Sequence, residues 1–282
     1  MFFITIFFVL ISVTGICNQK LKLTEYKENI YSQYGEDGII QKIFEIIGAR
    51  SKIAVEFGAA DGFWFSNTAN LWTKDSEWKA ILIEADDQKF EELKKNIAPY
   101  SCIPIHKSVG ISSYNSLEAI LNEIGFQETI DLLSIDIDGN DYYIFNSLQK
   151  IRPRLIISEY NPSIPAHLDV YSDYDTYVGC SVAALQRIAN QKGYTLIAIT
   201  NTNCFFVVNE ELHLFKDYEI DREHLRIDRY ISYIINDYSG QYKIIASSDF
   251  MDPWGWNGNP SPYHYHGDIT TFSNTIHRDK SI

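Results

Sequence analysis

The sequence predicts an α/β fold: a mostly parallel sheet, helices on both faces, and an antiparallel hairpin at its end. Three observations predict it. From residue 49 onward, short apolar runs of strand length alternate with amphipathic segments of helix length, the pattern of a parallel sheet. The first run, Val55-Glu56-Phe57, breaks into Gly58-Ala59-Ala60-Asp61-Gly62, the sharp bend that leads a strand towards a helix. Near residue 200 the alternation fails. Leu196–Ile199 and Phe205–Val208 are joined by Thr200-Asn201-Thr202-Asn203, a link too short for a crossover, so the pair is antiparallel.

Each element follows in order. Residues 1–20 form a hydrophobic leader: Phe2 to Cys17 carries no charge, and Lys20, Lys22 and Lys27 follow it. The run is short for a spanning helix, which needs about 20 residues, and long for a signal core. It reads as a signal peptide or a membrane anchor, and lysines on its C-terminal side favour a cytoplasm-facing catalytic domain. Residues 21–48 form an N-terminal helical segment, with apolar positions 39, 40, 43, 44, 46 and 47 on one broad face. The main domain spans 49–215. Its strands are expected at 53–57, 80–84, 102–106, 130–136, 155–159, 195–200 and 204–208, and its helices at 88–97, 116–124, 142–148 and 181–192. Residues 216–282 form an aromatic-rich extension, with one or two helices expected in 217–238.

Composition narrows the function. An apolar fraction of 45% and a charged fraction of 22% are those of a globular protein. A net charge of -13 argues against nucleic acid as a partner, because phosphates need a basic surface. Cys17, Cys102, Cys180 and Cys204 form no C-x-x-C pair, and they read as reduced thiols rather than a disulfide framework or zinc site.

The bend after the first strand is the most informative site. Glycine admits close backbone approach to a ligand, and Glu84, at the tip of the next apolar run, can accept from ribose hydroxyls. The spacing G-x-x-x-G, not G-x-G-x-x-G, points to a nucleoside without phosphates. Glu56, Gly58, Ala59, Gly62, Glu84 and Asp136 are the candidate cofactor-binding residues. The reading requires the Glu84 carboxylate to face the Gly58–Gly62 bend.

With Tyr31-Ser32-Gln33-Tyr34-Gly35-Glu36-Asp37-Gly38 ahead of the first strand, then Asp136-Ile137-Asp138-Gly139 and Ile157-Ser158-Glu159, the chain resembles FkbM-type methyltransferases over roughly residues 30–210. The resemblance implies a Rossmann-like class I methyltransferase sheet and S-adenosyl-L-methionine as cofactor. It further implies O-methylation of a sugar or small-molecule hydroxyl, so the partner is a small-molecule or glycan acceptor. The chain departs from the common pattern at Ala60, where Asn is frequent, and after the third strand, where Ser108-Val109-Gly110 offers no acid for the adenine amine. Ser32, Gln33, Glu36 and Asp37 can cover the cofactor, or Glu36 and Asp37 can simply favour a helix N-terminus.

Chemistry is expected at the fourth and fifth strand tips. Methyl transfer needs an acceptor oxygen in line with sulfur and losing its proton. Asp136, Asp138 and Glu159 are the candidate catalytic residues, with Asn161 and His167 nearby. No metal is assigned, although the same carboxylates can hold Mg²⁺ and acidify a hydroxyl. Asp141 reads as the cap of the following helix. Two other functions remain open: a metal-dependent glycosyltransferase using Asp136-Ile137-Asp138, and a non-catalytic binding protein on the same fold.

Overall fold

The protein is described from a computed structural model, which covers residues 20–226, 231–236, 242–246 and 276–278. Its centre is a seven-stranded sheet built from β1 (Ile53–Phe57), β2 (Lys79–Glu84), β3 (Cys102–His106), β4 (Leu132–Ile135), β5 (Leu155–Glu159), β7 (Tyr194–Ile199) and β8 (Asn203–Val208). The strand order is β3-β2-β1-β4-β5-β8-β7. The pairs among β1 to β5 are all parallel, and β8 runs antiparallel to both β5 and β7. The expected hairpin is therefore present, and its second strand is the one inserted within the sheet. Chain direction reverses its winding between β1 and β4, which opens a crevice at the carboxyl edge there.

Helices cover both faces, and strand alternation decides which residues meet them. Val55, Ile81, Ile83, Leu133, Ile135 and Ile156 face α4 (Leu117–Glu123), α5 (Asp141–Ser147) and α6 (Val182–Gln191). Ala54, Ala80, Leu82, Leu132, Leu155 and Ile157 face α1 (Glu36–Ile47), α2 (Ala69–Lys74) and α3 (Asp87–Ile97). Ile39, Ile40 and Ile43 of α1 are buried on this second face, as the periodicity predicts. Side-chain oxygens cap four of the described helices: Asp86 accepts from the Gln88 and Lys89 amides, Ser116 from Ala119, Ser181 from Ala184, and Asp221 from Glu223.

The predicted N-terminal helix is shorter than expected. Leu23–Tyr26 is a 3-10 turn, and residues 27–35 form a loop held by Asp37. Oδ2 of that side chain accepts from the amides of Ile30, Tyr31 and Ser32 and from the Ser32 hydroxyl, each at 2.8 Å. The Glu36 carboxylate accepts from the Tyr34 amide and from the Thr200 hydroxyl, tying α1 to the β7–β8 link.

The opposite sheet edge is joined by one buried cation. Arg154 donates to Glu211 at 2.7 Å, to Asp131 at 2.8 Å, and to the Gly48 and Ile47 carbonyls at 2.6 and 2.8 Å. Asp131 also accepts from the amides of Arg50, Ser51 and Lys52. Cys102, Cys180 and Cys204 are free thiols, and burial pushes the Cys102 thiol up to about 11.

Beyond 216 the expected helices give way. A single turn, α7 (Arg222–Leu225), precedes β9 (Ser232–Asn236), which pairs antiparallel with β10 (Tyr242–Ala246). Ser-Tyr-Ile-Ile-Asn has the β-branched and aromatic content of a strand. A further short strand, β6 (Val170–Ser172), pairs antiparallel with β11 (Ile276–Arg278). Residues 1–19, which hold nearly all of the predicted leader, and most of the 216–282 extension lie outside the described residues. Among the described residues no helix is long and apolar enough to cross a membrane.

Candidate active site

Strand alternation assembles the site. On the face shared with α1 to α3, the series Ala54–Glu56, Leu82–Glu84, Leu132–Ser134–Asp136 and Ile157–Glu159 each end in an acid at the carboxyl edge. Antiparallel β8 begins at that same edge, so Asn203, register partner of Glu159, joins them. These residues line one cavity of about 770 Å³, within the range of small-molecule sites. A smaller cavity of about 340 Å³ adjoins it, lined by Asp138, Asp141, Glu159 and Asn161 among others.

The Glu84 carboxylate faces the bend. Oε2 accepts from the Ala60 amide at 2.8 Å, and Oε1 accepts from the Ala85 and Asp86 amides at 2.8 Å each. A carboxylate offers about four acceptor sites, so one remains for a ligand hydroxyl. The two glycines do different work. Gly58 has φ 72°, and a Cβ there would lie 2.0 Å from the Asp136 carbonyl oxygen. Its bareness lets the bend abut the turn after β4. Gly62 lies against α3, where a Cβ would meet Leu93 Cδ1 at 2.8 Å, and it does not line the cavity.

Glu56 lines the cavity but spends its oxygens on the protein. Oε2 accepts from the Ser66 and Thr68 hydroxyls at 2.7 and 2.6 Å, and Oε1 from the Asn67 amide at 2.8 Å. Burial holds its carboxyl above the ordinary range. Ser66 and Asn67 thereby become cavity wall. Neither was singled out in the sequence, where Ser-Asn-Thr resembles any polar turn.

Asp136, Asp138 and Glu159 are brought together, with one oxygen from each lying within 4.8 Å of the others. Asp138 is exposed and holds a left-handed backbone at φ 54°. The Asp136 and Glu159 carboxyls lie within reach of each other at the strand tips. Both are held well above the usual carboxylate range, first by burial and then by neighbouring acids: Asp141, Asp138 and Glu56 act on Asp136, and Asp136, Asp141 and Asp138 act on Glu159.

Asp141 is the first residue of α5, not its cap. It accepts from the Ile137 and Gly139 amides at 3.0 and 2.9 Å, shaping the turn that presents Asp138, and burial raises it to about 6. Asn161 is turned into its own loop, donating to the Val178 carbonyl and accepting from Ser163. His167 lines neither cavity.

The mouth is aromatic. The Trp64 and Phe65 rings lie 4.6 Å apart, and Trp64 is 68% and Tyr177 93% exposed. Tyr177 sits on a segment pressed to the β4 turn: the Asp175 amide donates to Asn140 Oδ1 at 2.8 Å, and a Cβ on Gly139 would lie 2.2 Å from the Thr176 carbonyl oxygen. Lys89 and Lys107 line the side near β3, where Lys107 pairs with Glu123. Gln33, from the polar box ahead of α1, also lines the cavity.

Residues 111–176 match the sequence model of the Methyltransferase FkbM domain. That span carries Asp136, Asp138 and Glu159 and stops short of the β1–β2 side. No curated protein matches the sequence. Among solved structures, the chain is similar to an O-methyltransferase from Bacillus cereus in complex with SAH, at 17% identity, covering 60% of this chain and 78% of that one, with a TM-score of 0.41. It is also similar to an S-adenosylmethionine-dependent methyltransferase from Clostridium acetobutylicum, at 10% identity, covering 64% and 93%, with a TM-score of 0.41.

Proposed function

We infer that this chain, whose residues 111–176 belong to a methyltransferase FkbM domain on a Rossmann-like class I sheet, is an S-adenosylmethionine-dependent methyltransferase acting on a hydroxyl oxygen. One observation carries the reading: Glu84 reaches across to the Ala60 amide and keeps an acceptor site towards a cavity large enough for a nucleoside. The donor set fits the cofactor. Glu84 would take a ribose hydroxyl, the Gly58–Ala60 backbone would lie against the nucleoside, and Ser108 lines the same cavity on its β3 side. When bound, the cofactor supplies a methyl group activated by its positively charged sulfur.

The acceptor would enter past Trp64, Phe65 and Tyr177. Its hydroxyl would lie at the β4 and β5 tips beside Asp136 and Glu159, where the cofactor would supply its methyl group and leave as a neutral thioether. The hydroxyl proton passes to a carboxylate. Asp136 and Glu159 suit that step, since burial and mutual crowding raise their proton affinity well above that of an ordinary carboxylate. Aromatic rings beside carboxylates suit a sugar or other polyhydroxylated acceptor, whose ring faces stack while its hydroxyls donate.

Calorimetry of the full chain tests the reading. S-adenosylhomocysteine should give binding heat, and a UDP-sugar titrated into chain already saturated with Mn²⁺ should give none. Glu84→Ala should weaken S-adenosylhomocysteine by about 1–3 kcal/mol, the cost of stranding a buried hydroxyl partner. Unchanged affinity in that variant, or heat from the UDP-sugar alone, contradicts the proposal. The leader, if it anchors the chain, would leave this domain facing the cytoplasm, where the cofactor is made.

A further inference from the structure

We propose that Asp136, Asp138 and Glu159 form a binding site for one hard divalent cation, Mg²⁺ or Mn²⁺, completed by the side-chain oxygen of Asn203. The acidic cluster supplies three oxygens within 4.8 Å of one another, a spacing one ion can bridge. An independent observation points to a ligand at the same place. Asn203 is 5% exposed, lines the cavity with the three acids, and its Oδ1 is buried without a hydrogen-bond partner. It stands opposite Glu159 in the β5–β8 register. Register partners project to the same face with Cβ atoms roughly 5 Å apart, so the Asn203 oxygen belongs to the same end of the cavity as the acids.

The surroundings account for the orphaned oxygen. Asn203 donates through Nδ2 to Glu36 and Thr202, each at 3.4 Å, which turns Oδ1 away from those acceptors. A carboxylate next to it offers an acceptor no proton, and a cation satisfies both. All four atoms are oxygens, and carboxylates with an amide carbonyl select Mg²⁺, Mn²⁺ or Ca²⁺ over softer metals. Asp138 is held at a left-handed φ of 54° by the Asp141-bonded turn, which places it beside Asp136 instead of one strand step beyond.

The site lies at the β4 and β5 tips, beside the Gly58 bend, so an ion there would meet an acceptor hydroxyl and lower its proton affinity. It goes beyond the transfer reaction itself, because a cation would bind these oxygens whether or not a nucleoside binds at Glu84.

Mn²⁺ is the probe. The full chain, freed of metal by chelation, is titrated with Mn²⁺ and followed by electron paramagnetic resonance, with no nucleoside present. One ion per chain should be taken up. Asp138→Asn, at an exposed position that leaves the core intact, should weaken uptake at least tenfold, and so should Asn203→Ala. Thermal midpoints of the variants, read alongside, separate lost ligation from lost fold: Asp138→Asn should melt as the wild type does. Excess Mg²⁺ should displace the Mn²⁺. Failure of the wild-type chain to take up Mn²⁺, or uptake unchanged in Asp138→Asn, overturns the site. S-adenosylhomocysteine binding is measured separately, so its failure leaves the metal result standing, and the reverse holds too.

Discussion

The Glu56 carboxylate takes three hydrogen bonds from residues 66–68, so it acts as the pin of a cavity wall. Glu56→Ala should strand those buried donors and lower stability by about 3 kcal/mol, at roughly 1–3 kcal/mol for each unsatisfied group after relaxation. Glu56→Gln should cost under about 1 kcal/mol, because the amide keeps an acceptor and the two hydroxyls can rotate to accept. Urea denaturation of the two variants checks the difference. At this scale the sequence was legible where strand alternation alone decides direction. Glu84 and Asp136 sit at strand tips, and counting by two places them at one edge. Asn203 was not legible. In Thr-Asn-Thr-Asn it reads as a turn former, and only the antiparallel insertion of β8 carries it to the same edge as the acids.

Gly58 and Gly62 share a motif but belong to different contacts, and the elements they join explain why. Gly58 closes the distance between the β1 bend and the β4 turn; Gly62 admits α3. Gly58→Ala should cost about 2 kcal/mol or more and abolish S-adenosylhomocysteine binding, since the new methyl collides with backbone that cannot move aside. Gly48→Ala is the matched control. Its φ of 65° is equally left-handed, yet nothing lies within 4 Å of the added atom. It should cost about 1 kcal/mol from backbone strain alone. Differential scanning calorimetry on both variants tests the pair. The long elements were readable from periodicity, to within a residue or two at each end. α2 was not, because six residues after a polar turn fall below the length at which a helical period declares itself. The 217–238 segment holds one expected helical turn, α7, but its β9 stretch was misread for a related reason: aromatic and β-branched residues suit either period until a partner strand is known.

At the scale of the whole molecule, Arg154 joins the end of α1, the start of β4 and the segment after β8. Arg154→Ala would leave Asp131 buried without its counter-charge and Glu211 with only the exposed Arg50 beside it. It should cost about 3–5 kcal/mol, read as a lowered denaturation midpoint, and spare the distant cavity in whatever fraction stays folded. The sequence shows Arg154 only as a charge before an apolar run, since its partners are separated from it by 23 and 57 positions. The strand order has a further consequence, for synthesis. β8 is the last strand of the main sheet to be made, yet it fills an interior slot between β5 and β7. As the chain leaves the ribosome, β5 must therefore wait with a bare flank until residue 208 has emerged. A nascent chain paused before that point displays an unpaired apolar edge, so this is the interval in which a holdase chaperone would be required.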